Sequence, residues 1–365
     1  MSSNWRSSSC PAFTTEDNRI PSPPPSPTLN LLVTLATIPV AVTTSWGSTI
    51  SALHDSDFER TLGSGGFANV EQRRDRHNEL IAVKRSRWTP KPSDFENSDA
   101  FQKHLEQTVV ELRILSFEPL MSHPNIINLL GIQFDEENVE YSHLYLVLEC
   151  STVGTLKHFL REGGHDLSAV DMIALLSQVS YGLEALHHHK ICHGDVKTEN
   201  TLIFQEGKIW KIKLSDFGHS IVGRIDDPFA AVDCRFGTRL LNAPEIRTGS
   251  AFGNPSYDLA SALRTDIFSF GLFSWEVLNK GRSFFDPRWL NLGETVVHQD
   301  AAEQYLNSLP HNVLLLKGHA FLKKNYSNTA IEGAIADLFH RTLQDDPLER
   351  QSIVEIRQYL EKQLG

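Results

Sequence analysis

Ile191-Cys192-His193-Gly194-Asp195-Val196-Lys197-Thr198-Glu199-Asn200-Thr201-Leu202, followed by Leu214-Ser215-Asp216-Phe217-Gly218, is the passage from which the rest of the chain can be read. Asp195 can accept the proton of an attacking hydroxyl, and Lys197 can neutralise charge on a transferred phosphoryl group. Asn200 and Asp216 offer hard oxygen ligands, which is what magnesium requires. A lone Asp-Phe-Gly arises easily by chance. The pattern HxDxKxxN followed at this interval by Asp-Phe-Gly does not.

Upstream, Leu62-Gly63-Ser64-Gly65-Gly66-Phe67-Ala68-Asn69-Val70 places a glycine turn between two strand-like runs, Phe58–Leu62 and Ala68–Gln72. Glycines at 63 and 65 let a backbone approach triphosphate oxygens closely. Such turns are common between strands, so spacing alone decides little. The phosphate reading is strengthened by the apolar β-branched run Leu80-Ile81-Ala82-Val83-Lys84, which is next along the chain. Lys84 could simply cap the strand edge, and Glu111 could lie on a solvated helix face. Taken together, Glu111 can instead hold the Lys84 ammonium while it grips two phosphates.

The organisation along the chain fits this order. Residues 1–28 are rich in Ser and Pro, ending in Pro21-Ser22-Pro23-Pro24-Pro25-Ser26-Pro27, and are expected to be a disordered tail. Leu29–Trp46 is apolar but interrupted by Asn30, Pro39 and several threonines, and has no flanking Lys or Arg between Arg19 and Arg60. A spanning helix wants about 20 continuous apolar residues. Residues 29–56 are therefore expected to pack as an apolar extension on the next domain, with a membrane anchor at 29–46 as the weaker alternative. From residue 57 the pattern is strand-rich, with one helix marked by Phe101, Leu105, Val109, Leu112 and Leu115 and a further strand at Leu144–Leu148. Beyond about residue 150 it turns helical. Ser168 and Asp171 form a capping box ahead of Met172, Ile173, Leu176, Val179, Leu183 and Leu186.

Composition narrows the partners. The net charge is −11, from 45 acidic and 34 basic residues, which argues against nucleic acid as the main partner because phosphate backbones need clustered cations. The 4 cysteines (Cys10, Cys150, Cys192 and Cys234) are scattered without a CxxC pair. They read as free thiols in a reducing compartment, the cytoplasm or the nucleus. The run His187-His188-His189 cannot converge on one ion, since consecutive helical residues point apart, and reads as a polar helix end.

From about residue 57 to the C-terminus the chain resembles a eukaryotic protein kinase of the serine/threonine type. The glycine loop, strand lysine, helix glutamate, catalytic loop and Asp-Phe-Gly occur in that family's order, followed by Gly237-Thr238 and Ala243-Pro244-Glu245. The resemblance implies a bilobal α+β fold. Its N-lobe, 57–149, would be a small antiparallel sheet with one main helix, and its C-lobe, 150–365, mostly α-helical. It implies ATP and magnesium as cofactors and a protein as substrate. By the same resemblance Asp195 is the catalytic base, supported by Lys197, Lys84, Glu111 and Thr238, while Asn200 and Asp216 hold the metal. The nucleotide would lie against Leu62 to Ala68, Val70, Ala82, Lys84 and Leu202, with Glu149 and Cys150 at the hinge and Leu148 as gatekeeper. Asp266 resembles the aspartate that braces the catalytic loop, and Arg350 the partner of Glu245. Lys197 and Thr238 favour a short hydroxyl side chain as acceptor.

Two positions depart from the family pattern. Ala68 replaces the third glycine of the loop, and Gly194 replaces the arginine that reads a phosphorylated activation loop. From Ile221 to Gly237 there is no Ser, Thr or Tyr, so acceptor and reader are both missing. The expectation is a kinase that is constitutively competent or controlled by a partner. A pseudokinase scaffold that binds ATP and a partner protein is the alternative. A small-molecule phosphotransferase fits less well, because such enzymes generally lack the Glu245–Arg350 pair. Phosphatase treatment should accordingly leave activity unchanged; loss of activity traced to a site within residues 216–245 would overturn the expectation.

Overall fold

Alternation about Lys84 sets the architecture of the N-terminal lobe. In the computed structural model, which describes residues 57–64, 68–75, 77–86, 99–134, 144–162, 167–223, 237–249, 258–285 and 299–365, this lobe is a five-stranded antiparallel sheet. Its elements are β1 (Asp57–Ser64), β2 (Ala68–Arg74), β3 (Leu80–Ser86), helix α1 (Asp99–Leu115), a short α2 (Glu118–Met121), β4 (Leu129–Phe134) and β5 (Leu144–Glu149). The strand order is β1-β2-β3-β5-β4. Ala82 pairs with Leu148, and Lys84 with both Val70 and Leu146, so these side chains share one face. That face looks towards α1, whose Val109, Leu112 and Leu115 are buried. Ile81, Val83, Tyr145 and Val147 necessarily occupy the opposite face. The expected tail 1–28, extension 29–56, loop tip Gly65, Gly66 and Phe67, and activation-segment residues 224–236 lie outside the described residues.

The C-terminal lobe is helical around one buried element. After β6 (Gly154–Thr155) and α3 (Leu156–Arg161) come α4 (Ala169–His188), β7 (Ile191–Cys192), β8 (Thr201–Glu206), β9 (Ile209–Leu214) and β10 (Ile221–Val222). There follow α5 (Pro244–Arg247), α6 (Leu259–Leu278), α7 (Gln299–Asn307), α8 (Val313–Asn325), α9 (Ala330–Thr342) and α10 (Ile353–Leu364). Ser168 caps α4 reciprocally with Asp171, its hydroxyl accepting from the Asp171 amide while the carboxylate accepts from Ser168. Helix α6 is apolar nearly all round, as a helix enclosed by others must be, and residues 265–278 are all buried. The two lobes are laced together before the hinge. Leu214 at the end of β9 donates to the Asn125 carbonyl (2.9 Å) and accepts from the Ile127 amide (2.9 Å).

An arginine–glutamate pair lies deep inside this lobe. Arg350 is 1% exposed and grips Glu245 through both terminal nitrogens at 2.7 and 2.8 Å. Its remaining donors go to the carbonyls of Gln344, Arg264 and Asp345, and its guanidinium lies 5.0 Å from the centre of the Phe268 ring. Every N–H direction has an acceptor, which is the condition under which a buried charge is tolerable. The pair ties α5, next to the catalytic loop, to the segment that precedes α10. Arg350→Ala should cost about 3–5 kcal/mol in denaturant unfolding, because Glu245 is left buried without its partner. Arg350→Lys should recover only part of this, since an ammonium cannot reproduce the two-pronged grip.

Candidate active site

The roof of the cleft is built on a lysine that could not stay charged alone. Strand β3 delivers Lys84 and helix α1 delivers Glu111, whose two oxygens lie 2.8 and 2.7 Å from Nζ. The third donor of the ammonium reaches across the lobes to Oδ1 of Asp216 at 2.8 Å. Burial by itself would lower the Lys84 pKa, but the charges of Glu111 and Asp216 outweigh it and hold the ammonium above its ordinary value. Lys84 in turn holds Asp216 well below the usual carboxylate range, against the effect of burial. Burial pushes the Glu111 carboxyl up, against the pull of Lys84. Glu111 is thus a buried ion-pair partner, not a solvated helix residue.

Asp195 sits on the floor with both carboxylate oxygens occupied. Oδ2 accepts from Lys197 Nζ (2.6 Å) and Asn200 Nδ2 (2.8 Å), and Oδ1 accepts from the backbone amide of Thr238 (2.8 Å). Lys197 also donates to the Thr238 hydroxyl at 2.8 Å. Thr238 therefore reaches Asp195 through its main chain and Lys197 through its side chain. Asn200 spends its amide nitrogen on Asp195, with a further bond to the Asp195 carbonyl at 3.0 Å. Its own carbonyl accepts from the amide and hydroxyl of Ser215, both at 2.9 Å, which ties the catalytic loop to the Asp216 turn. Asp216 adopts a left-handed backbone (φ +64°), a conformation aspartate tolerates better than most residues. Phe217 is fully buried, its ring 5.1 Å from that of His193.

The loop is braced from beneath. Asp266 on α6 accepts from the amides of His193 (2.7 Å) and Gly194 (2.9 Å). It also lies 2.9 Å from His187 Nε2, so the histidine run is not merely a polar helix end: His187 turns inward to the brace. Burial acts to raise the Asp266 pKa, yet the His187 bond and the loop amides more than offset it and keep the carboxylate ionised. Gly194 has φ +77° and Gly237 φ +81°. A Cβ on Gly237 would stand 2.3 Å from the Gly194 carbonyl oxygen, so no side chain fits at position 237 unless the backbone shifts.

The nucleotide end is placed by the strand register. Gly63 pairs with Val70 and Ser64 with Asn69, so the β1–β2 hairpin continues the sheet beyond Lys84. Ala82 and Leu148 are buried opposite one another, and half-buried Val70 and Leu202 pack on the same core. The Glu149 side chain turns away from the cleft. Its carboxylate takes Lys213 (2.5 Å) and the Asn128 amide (2.7 Å), and its own amide goes to the Asn128 carbonyl. Cys150 is half-buried beside it, and burial raises its thiol pKa.

Magnesium suits the donor set that this geometry leaves. Asn200 commits its nitrogen and retains a side-chain oxygen, while Asp216 keeps one oxygen beyond the Lys84 bond and is 43% exposed at the side chain. Among the described residues there is no cluster of three or more His, Cys, Asp or Glu placed to hold a metal ion. Sequence reasoning passed over Glu276, took His187 only for part of a polar helix end, and gave Gly237 only as part of the family pattern. Glu276, on α6, accepts from the Thr198 hydroxyl at 3.0 Å under the catalytic loop. No local pattern marks such residues, because each acts on a segment far away in the chain.

Residues 56–360 match the family model of the protein kinase domain. Among curated proteins, the chain is 30% identical over 226 residues to a probable serine/threonine-protein kinase, kinX, of Dictyostelium discoideum, covering 62% of this chain and 18% of that protein. It is 32% identical over 205 residues to the serine/threonine-protein kinase SIK1 of Rattus norvegicus, covering 56% and 24% respectively. A probable myosin light chain kinase of Dictyostelium discoideum is 28% identical over 298 residues, with 78% of each chain covered. The matches to kinX and SIK1 thus span less than a quarter of those relatives' length.

Glu276 generates a test of its own. Burial pushes its pKa up to about 7, with Glu199 adding to the shift and Lys157 and Thr198 opposing it. The folded chain therefore holds this proton more tightly than the unfolded chain, where a glutamate titrates near about 4.3. The associated stability is complete below about pH 4.3 and is lost as pH rises to about 7. Between about pH 5 and about pH 8, Glu276→Gln should gain about 2–3 kcal/mol relative to the wild type in denaturant unfolding. A difference independent of pH would show that Glu276 takes up no proton on folding.

Proposed function

The chain belongs to the protein kinase family, and we propose that it accordingly transfers the γ-phosphoryl group of ATP to serine and threonine hydroxyls of protein substrates. The observation that carries this reading is the convergence of Lys84, Glu111 and Asp216 across the lobes, together with an Asp195 carboxylate fixed by Lys197, Asn200 and Thr238. None of the groups the chemistry needs is missing.

The roles follow from the contacts. Lys84, kept charged by its two carboxylates, binds the α and β phosphates once a nucleotide competes for its third donor. Asn200 and Asp216 would hold magnesium through their remaining oxygens, and the ion would supply charge neutralisation on the phosphates. Asp195 accepts the proton of the acceptor hydroxyl as its oxygen forms the new bond to phosphorus and ADP departs with the bond that breaks. Lys197, already shared between Asp195 and Thr238, is placed to neutralise the phosphoryl oxygens. By the resemblance to the family, Lys197 and Thr238, which are bonded to each other here, favour a short hydroxyl side chain over a tyrosine as acceptor. Regulation without activation-loop phosphorylation is part of the same proposal, resting on Gly194 and on residues 221–237, which lack an acceptor.

The scaffold reading draws on Gly194 and Ala68. The backbone at 194 speaks against damage there. A φ of +77° is one that glycine adopts freely, and Asp266 holds the loop through main-chain amides that need no arginine. Asp195→Asn should reduce phosphorylation of a generic protein substrate about 10²–10⁴-fold. It should leave the thermal stabilisation by magnesium-ATP in place, about 2.7 kcal/mol at a hundredfold excess over Kd. Nucleotide stabilisation without measurable transfer in the wild type would select the scaffold.

A further inference from the structure

Helix α1 and the turn after Asp216 touch at more places than Lys84 requires. Glu111 accepts from the main-chain amide of Phe217 as well as from the Lys84 ammonium. One helical turn earlier, the side-chain nitrogen of Gln107 lies 3.4 Å from Nδ1 of His219. Residues four apart share a helix face, so Gln107 and Glu111 are directed together at this turn. Their partners in it are two residues apart, with Gly218 between them. A Cβ built on Gly218 would stand 3.7 Å from the Gln107 Cβ and 3.7 Å from Oδ1 of Asp216. Helix and turn therefore meet at van der Waals distance exactly where glycine leaves room.

The imidazole of His219 is half-buried among the charges of the cleft. Burial lowers its pKa and outweighs the pull of Asp195 and Asp216, with Lys197 and Lys103 acting in the same direction as burial. The ring is thus neutral at about pH 7 and keeps one nitrogen as an acceptor. In the tautomer protonated at Nε2 that acceptor is Nδ1, and the Gln107 amide donates to it. A separation of 3.4 Å is long for a hydrogen bond. Its weight comes from the register: the Glu111–Phe217 contact and the close approach at Gly218 fix the two segments on either side of it.

We propose that Gln107 and His219 are a positioning pair, which fastens α1 to the Asp216 turn and thereby keeps Glu111 on Lys84. The inference rests on the kinase reading of the cleft and adds the means by which its helix is held in place. Neither residue bonds to Lys84 directly. Gln107 holds the helix one turn before Glu111, and His219 holds the turn three residues after Asp216. Loss of the pair would free the helix to move off the turn, and the carboxylate that keeps Lys84 ready for phosphate would move with it.

The test reads magnesium-ATP binding and amide hydrogen exchange in the full chain. His219→Ala and Gln107→Leu should each weaken nucleotide binding about 2–10-fold and speed exchange across residues 99–115. Because the two side chains act as one unit, the double variant should bind no more weakly than the poorer single variant. His219→Asn should restore binding, since its side-chain oxygen falls near the place where Nδ1 accepts. Wild-type values in Gln107→Leu, losses that multiply in the double variant, or a His219→Asn as weak as His219→Ala would overturn the proposal. Neither readout needs turnover. A wild type that binds magnesium-ATP but transfers no phosphate would sink the kinase reaction alone, and exchange decides the pair even without nucleotide.

Discussion

A lysine ammonium under a protein roof must be compensated, and in this molecule the compensation comes from two different lobes. Glu111 on α1 neutralises Lys84 within the sheet domain, and Asp216 does so from the helical one. Removing either carboxylate would leave Lys84 with too little charge to offset its desolvation. The consequence is mechanical as well as electrostatic. The position of α1 against the sheet, the turn at Asp216 and the separation of the lobes are set by three bonds to one nitrogen. A nucleotide triphosphate would bring anionic oxygens of its own to the Lys84 ammonium and would take over part of that compensation.

The catalytic loop solves a related problem by different means. Its outward groups are side chains, but it is fastened mainly through main-chain amides given to a buried aspartate. That arrangement explains how position 194 can be glycine. The brace needs an N–H and a left-handed turn, both of which glycine provides, whereas another residue would strain the backbone by about 1–2 kcal/mol. The start of the substrate-facing segment is fastened in a similar way. Gly237 lies against the Gly194 carbonyl, Thr238 bonds to Asp195 and Lys197, and Arg239 pairs with Asp300 and Glu303 of α7. These contacts hold residues 237–239 next to Asp195.

Buried polarity in the helical lobe follows one rule. Arg350 is admitted to the interior because every donor finds an acceptor, and Asp266 because three donors converge on it. Glu276 meets the rule only in part. It receives one hydroxyl and lies near another carboxylate, so its proton is held to higher pH.

Which residues could do chemistry, and which strands and helices carry them, was legible along the chain. Alternation around Lys84, apolar spacing through Leu112 and Leu115, and the Ser168–Asp171 box are local patterns, and short-range sterics and burial are enough to read them. What those residues face was settled by folding alone. The fold turned Glu149 out of the cleft towards Lys213, drew His187 inward to Asp266, set Glu276 beneath Thr198 and brought Gly237 against Gly194. Each of these depends on two segments far apart in the chain meeting at a distance of a few ångströms. A linear pattern names candidates for such meetings, but packing in three dimensions selects the pairs, because the cost of a buried charge depends on every neighbour at once.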